Sequence, residues 1–246
     1  MERQVQMGVP LKPSRREFAA LAGGAVALAG SGIRAETLDD VDIQLALAVD
    51  ASGSVNAHRF ELQKQGYVSA FRDPQVVRAI TSGMLGSVAV MMYQWTGPRL
   101  QVVTAPWTKI DDKASCERFA DMLAAAPRRL YGGGTSISGA IDYGAGLFKN
   151  SGYRSLRRVI DVSGDGVNTS GRAVSRARDE AVAAGVIING LPILSLEFEL
   201  DEHYKQEVIG GPGSFIVPAK SFEVFADAVR RKLILEIAGR DILGAG

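Results

Sequence analysis

Residues 43–54 read IQLALAVDASGS, an apolar run that ends in an aspartate and continues with serines at alternate positions. Nothing polar interrupts the run from Leu45 to Val49, as expected of a strand covered on both faces. Residues two apart in an extended segment face one side. Asp50, Ser52 and Ser54 are therefore placed to turn their oxygens toward one spot, and Gly53 lets the backbone bend there. The competing use of the same residue types is to cap the helix that follows, a position Asp and Ser favour.

Working outward, short apolar runs alternate with longer amphipathic stretches from residue 41 onward, the pattern of a parallel sheet covered by helices. Phe60, Tyr67 and Phe71 share one side of a first helical stretch, and Asp73 with Pro74 caps and opens a second. Residues 87–95 read as a second strand, and residues 100–107 as a third, antiparallel to it across the short TGPR loop. Pro106 confines the end of that third strand to a sheet edge. Two helices follow, one with Cys116, Phe119, Met122 and Leu123 inward, the other with Ile137, Ile141 and Phe148. Residues 157–166 and 185–194 are a fourth and a fifth strand around an alanine-rich helix. Residues 214–219 are a short sixth strand, and Ser221 caps a last helix. The expected fold class is α/β: a doubly wound, mostly parallel six-stranded sheet with one antiparallel edge strand and helices on both faces.

In such sheets ligands bind outside the carboxyl ends of the strands, where the winding reverses. Besides Asp50, Ser52 and Ser54, two more oxygen donors fall in loops of that kind. Thr135 follows three glycines, and Asp165 lies in SGDG after the fourth strand, a neighbour of the first. The five side chains offer oxygen only, the set hard divalent cations prefer, and Mg²⁺ takes about six oxygens. The protein supplies fewer than six, so a position stays open for a further carboxylate.

The segment DASGS matches the D-x-S-x-S motif of the von Willebrand factor type A (VWA) domain, and Thr135 and Asp165 stand where that family's metal-ion-dependent adhesion site (MIDAS) adds a threonine and an aspartate. The resemblance covers roughly residues 40–240. It implies a Rossmann-like VWA fold that grips partner proteins through Mg²⁺, or through Ca²⁺ or Mn²⁺, at Asp50, Ser52, Ser54, Thr135 and Asp165. One departure is Gly164, where many relatives carry a threonine before the aspartate, so a hydroxyl is missing. Asp161, four residues earlier in the strand, competes with Asp165, and its deeper position favours Asp165. The glycine triplet is no phosphate loop, since no Gly-Lys-Ser/Thr follows it. Trp95 and Tyr131 are expected at loop edges near the site, as core packing or as rim anchors for a partner.

The ends and the composition set further bounds. The 246 residues carry 28 basic and 27 acidic side chains, with no basic block, so nucleic-acid binding lacks an electrostatic footprint. Cys116 is the one cysteine, which excludes an intramolecular disulfide and a thiolate cluster. Residues 1–35 are read as an export signal: basic residues, a mild apolar segment over residues 18–30, then small residues. The apolar segment is too short and too rich in Gly and Ala for a stable membrane span. SRREF, residues 14–18, resembles the twin-arginine export motif. Residues 36–246 are then a single VWA-like domain, periplasmic or secreted after signal cleavage. Losing residues 1–35 removes five basic and two acidic residues and leaves a net charge of −2.

The chain is accordingly read as a binding module and not as an enzyme, one that engages a protein partner presenting an acidic residue. The alternative is a metal-assisted hydrolase at the same site. It needs a general base, and His58, eight residues past Asp50, is expected to face solvent. A serine hydrolase is weaker still: no G-x-S-x-G occurs, and His203 lies in a polar stretch.

Overall fold

The computed structural model describes residues 38–238, and the expected export segment lies outside them. The strand of the opening motif, β2 (Ile43–Asp50), is buried at every position, as its uninterrupted apolar run requires. A two-residue strand, β1 (Asp39–Asp40), precedes it and pairs with β5 (Tyr153–Arg154) in a separate small sheet. β2 lies at the centre of a five-stranded sheet, with β3 (Val88–Trp95) on one side and β6 (Arg158–Gly164) on the other, both parallel to it. β4 (Gln101–Ile110) closes one edge antiparallel to β3, and β7 (Val186–Pro192) closes the other, parallel to β6. The winding therefore reverses between β2 and β6, and their carboxyl ends open the crevice in which ligands of such sheets bind.

Alternation along β2 sends Ile43, Leu45, Leu47 and Val49 into one core cluster and Ala46 and Ala48 into another. The first core is covered by α1 (Ala57–Arg72), α2 (Pro74–Thr81), α3 (Lys113–Ala125) and α7 (Phe225–Ala238), the second by α4 (Ile137–Leu147) and α5 (Val174–Ala183). A short turn of helix, α6 (Leu200–His203), follows β7 and continues as a π-turn over Tyr204–Val208. No helix among the described residues is long and apolar enough to cross a membrane.

Three expectations are corrected in detail. Residues 214–219 form isolated bridges along β7, at Gly190↔Ile216 and Ile193↔Ala219, instead of a sixth strand. Gly190 donates to Phe215 O, Val217 donates to Gly190 O, and Ala219 donates to Pro192 O. The step between them would need an N–H from residue 192, and proline has none. Pro106 lies in an edge strand, as expected, but β4 runs past the expected end at residue 107 to Ile110. Ala105 pairs with Met92 and Thr108 with Val90, so Pro106 and Trp107 face one residue in a bulge, where the missing N–H breaks no ladder bond. Ser221 is not the cap of α7, which begins at Phe225; the Ser221 side chain bonds the Glu223 carboxyl instead.

Candidate metal centre

The capping roles go to other residues. Asn56 caps α1, its side chain accepting from Arg59 N, and Ser136 caps α4 by accepting from Gly139 N. Asp50, Ser52, Ser54 and Thr135 are thereby left free of the helix termini, which removes the simplest alternative use of their oxygens.

β2 ends with Asp50 opposite Trp95, and β6 ends one residue before Asp165. The Asp50 carboxylate is fully buried; Oδ1 accepts the Ser52 N–H at 2.7 Å, while Oδ2 lacks a hydrogen-bond partner. The Ser52 and Ser54 hydroxyls are 3.2 Å apart, and Ser54 Oγ donates to Asp165 Oδ1 at 2.5 Å. Asp165 Oδ2 also lacks a hydrogen-bond partner and lies 3.6 Å from the Arg59 guanidinium. Four of the five expected donors thus form one connected cluster in the crevice between β2 and β6.

Thr135 arrives from the glycine loop. Gly132 and Gly133 hold φ of +73° and +93°, the left-handed region that disfavours other residues. The carbonyl of Gly133 lies 3.8 Å from where a Cβ on Gly53 would stand, and Thr135 Oγ1 lies 4.0 Å from the same position on Gly166. The glycine loop therefore abuts both the serine turn and the residue after Asp165. Thr169 N and Ser170 N donate to Thr135 O at 2.8 and 3.1 Å, which fixes its backbone.

Burial is the main electrostatic cost of this arrangement. It pushes the Asp50 carboxyl up to about 7, against the pull of Ser52, and the Asp165 charge adds to the rise. Asp165 is raised as well, chiefly by burial, with Ser54 and Arg59 opposing. Two carboxylates in one buried spot each favour the neutral form unless a cation sits between them. No group of three or more His, Cys, Asp or Glu side chains that could hold a metal occurs among the described residues. The donor set is two carboxylates with hydroxyls, oxygen only, with Asp50 Oδ2 unpartnered and Asp165 Oδ2 free of hydrogen bonds, and such a set fits a hard divalent cation.

Asp161 is committed elsewhere. Its Oδ1 lies 2.8 Å from Nζ of the fully buried Lys232, which also meets both Glu236 carboxylate oxygens at 3.2 Å. Asn189 Nδ2 donates to Glu236 Oε1 at 2.7 Å and completes that network. Trp95 is core, fully buried, and so is no rim residue; Tyr131 is 74% exposed and stacks on Arg128, 5.0 Å from its guanidinium. His58 is exposed. His203 is half-buried, with its Nε2 unpartnered.

Several residues around the cluster escaped the reading of the sequence. Arg59 Nη1 donates to Ser54 O at 2.8 Å, Gln63 Nε2 donates to Asp50 O at 3.1 Å, and Arg128 Nη2 donates to Ala51 O at 3.0 Å. All three hold backbone carbonyls of the motif loop. Backbone acceptors leave no residue-type signal, so nothing in the sequence marks these side chains for the task.

Against known proteins, the family model described as "Protein of unknown function (DUF1194)" matches residues 40–241. No curated protein matches the sequence. In structure the chain is similar to proximal thread matrix protein 1 from the mussel byssus, with a TM-score of 0.60, 16% identity, and 81% of this chain and 49% of that one covered. Another structure of that protein has a zinc-occupied MIDAS motif. A von Willebrand factor type A protein from Catenulispora acidiphila aligns with a TM-score of 0.56 and 11% identity over 80% of this chain and 43% of that one. BatB from Bacteroides thetaiotaomicron gives 0.53 and 20% identity over 80% and 98%. The chain spans about half the length of the mussel protein. At these identities the likeness establishes the fold, which is that of VWA domains.

Proposed function

Since the chain belongs to the DUF1194 family and has the VWA fold, we propose that it is an exported, cation-dependent binding module rather than an enzyme. Asp50, Ser52, Ser54, Thr135 and Asp165 hold a divalent cation, Mg²⁺ first and Ca²⁺ or Mn²⁺ as alternatives. Bound there, the ion supplies a positive charge with an unfilled position, which an acidic side chain of a protein partner completes. The observation that carries this reading is the buried, unpartnered Asp50 Oδ2, beside an Asp165 carboxylate whose Oδ2 faces only Arg59 at 3.6 Å, at the carboxyl ends of the two strands where the winding reverses. Leaving the Asp50 oxygen bare is costly, and a cation is the remedy its chemistry asks for.

The surroundings favour binding over hydrolysis. Tyr131, Leu196 and Phe198 are exposed on loops that border the cluster, and such side chains anchor protein partners. A hydrolase would need a base beside the ion, and the exposed His58 is a poor candidate. Titration calorimetry with MgCl₂ tests the first step: binding is expected for the native chain and lost in Asp50→Ala, and equal affinity in both would refute the assignment. The partner is then sought by capture from envelope extract with Mg²⁺ or with chelator, using Asp50→Ala as the control bait. Export is tested with a fluorescent fusion in which Arg15 and Arg16 both become Lys; retention in the cytosol is the expected result.

A further inference from the structure

Gly164 closes β6 immediately before Asp165, and the space over it is bounded in an unusual way. A Cβ built there would meet Asp50 Oδ2 at 3.0 Å, Tyr204 Oη at 3.0 Å and Trp95 Cζ2 at 3.2 Å. All three side chains are fully buried, and Asp50 Oδ2, Tyr204 Oη and Trp95 Nε1 all lack hydrogen-bond partners. Buried tyrosine and tryptophan ordinarily find an acceptor for their O–H and N–H. Here an orphan donor, the Tyr204 hydroxyl, and an orphan carboxylate oxygen border the same notch, against a wall formed by the Trp95 ring, so their needs are complementary.

We propose that Tyr204 is a positioning residue of the cation site, its hydroxyl donating to Asp50 Oδ2 across the Gly164 notch through one bridging water. The inference rests on the cation-site reading above. Tyr204 Oη and Asp50 Oδ2 each lie 3.0 Å from where a Gly164 Cβ would stand, so they are no more than about 6 Å apart, within reach of one water seated beside the glycine. Held at Oδ1 by the Ser52 N–H and at Oδ2 by Tyr204, the carboxylate cannot rotate, and its remaining lone pairs stay directed at the cluster. The hydroxyl that reaches the notch comes from the π-turn after α6. Glycine and tyrosine form a matched pair, because a side chain at 164 would fill the space through which Tyr204 reaches Asp50.

Calorimetric titration of MgCl₂ into the native chain, Asp50→Ala, Tyr204→Phe, Gly164→Ala and the double variant Gly164→Ser/Tyr204→Phe tests this, with circular dichroism confirming that each is folded. Partners that orient a metal ligand typically contribute 10- to 100-fold in affinity. Tyr204→Phe is expected to weaken Mg²⁺ binding by that factor, and Gly164→Ala, whose methyl enters the notch, by about tenfold. The double variant restores a hydroxyl beside Asp50 Oδ2 and is expected to recover most of the loss. A purely structural tyrosine would lower thermal stability in chelator without this rescue. If Asp50→Ala loses binding while Tyr204→Phe and Gly164→Ala bind like the native chain, the inference falls and the cation site stands. If Asp50→Ala binds like the native chain, the site itself is misassigned and the inference falls with it.

Discussion

Asp50→Asn in metal-free buffer isolates the cost of burying the Asp50 charge. Burial raises this carboxyl from an ordinary 3.8 to about 7. A group whose folded-state value is raised stabilises the fold fully below its unfolded value, and the contribution is lost as pH climbs through the folded value. For Asp50 that window runs from about 4 to about 7. A shift of about three units corresponds to about 4 kcal/mol, a large share of the roughly 5–15 kcal/mol that holds a domain together. Asparagine keeps the oxygen that accepts the Ser52 N–H and cannot ionise, so it escapes the loss. Any strain from its amide is the same at every pH and cancels in the comparison. Urea unfolding in chelator at pH 4 and pH 8 is the assay. Relative to the native chain, Asp50→Asn should gain about 4 kcal/mol between the two pH values, or about 2 M in urea midpoint at an m-value near 2 kcal/mol/M. Mg²⁺ at pH 8 should then stabilise the native chain and leave Asp50→Asn unmoved. A difference between the two proteins that is equal at both pH values would refute the buried-charge argument.

Lys232→Met leaves Asp161 and Glu236 buried without their counter-charge, and urea unfolding should show a loss of about 3–5 kcal/mol. That loss should be smaller at pH 5 than at pH 8, because burial raises the Asp161 carboxyl above its ordinary range and it takes a proton more readily at the lower pH. Gly132→Ala and Gly133→Ala both place an alanine at positive φ, a strain of roughly 1–2 kcal/mol. Only at 133 would the new methyl also strike the Thr96 hydroxyl, so Gly133→Ala should unfold at lower urea than Gly132→Ala. Cys116 is buried and its thiol is pushed up to about 11, so iodoacetamide should label it slowly in buffer and rapidly in urea.

The sheet was legible because its central strands have no exposed side: β2 and β3 are buried at every position and are apolar along most of their length, from Leu45 to Val49 and from Val88 to Met92. The edges were harder. β4 continues through Pro106 because a bulge turns the missing N–H away from the ladder, and periodicity cannot register a bulge. Residues 214–219 look like a strand by composition, yet the partner they need is interrupted by Pro192, in another segment of chain. Pairing is a property of two segments, and neither of them states it alone. The start of α7 at Phe225 shows the same limit, since Ser221 was judged as a cap on residue type while its hydroxyl is used by Glu223.

The site divides along the same line. Asp50, Ser52 and Ser54 announce themselves because one extended segment carries all three, and Asp165 because its strand pairs directly with β2. What could not be read is how the cost of that pairing is managed. Placing two carboxylates at adjacent strand ends raises both of them, and the protein sets Arg59 against Asp165 but no side-chain cation against Asp50. The charge left over is therefore concentrated at Asp50, the deeper of the two, beside the orphan donor Tyr204. That donor can orient the Asp50 carboxylate but carries no positive charge, and so cannot neutralise it. A divalent ion does both at once, which is why the same aspartate that weakens the metal-free fold at neutral pH should be the one on which cation binding depends most.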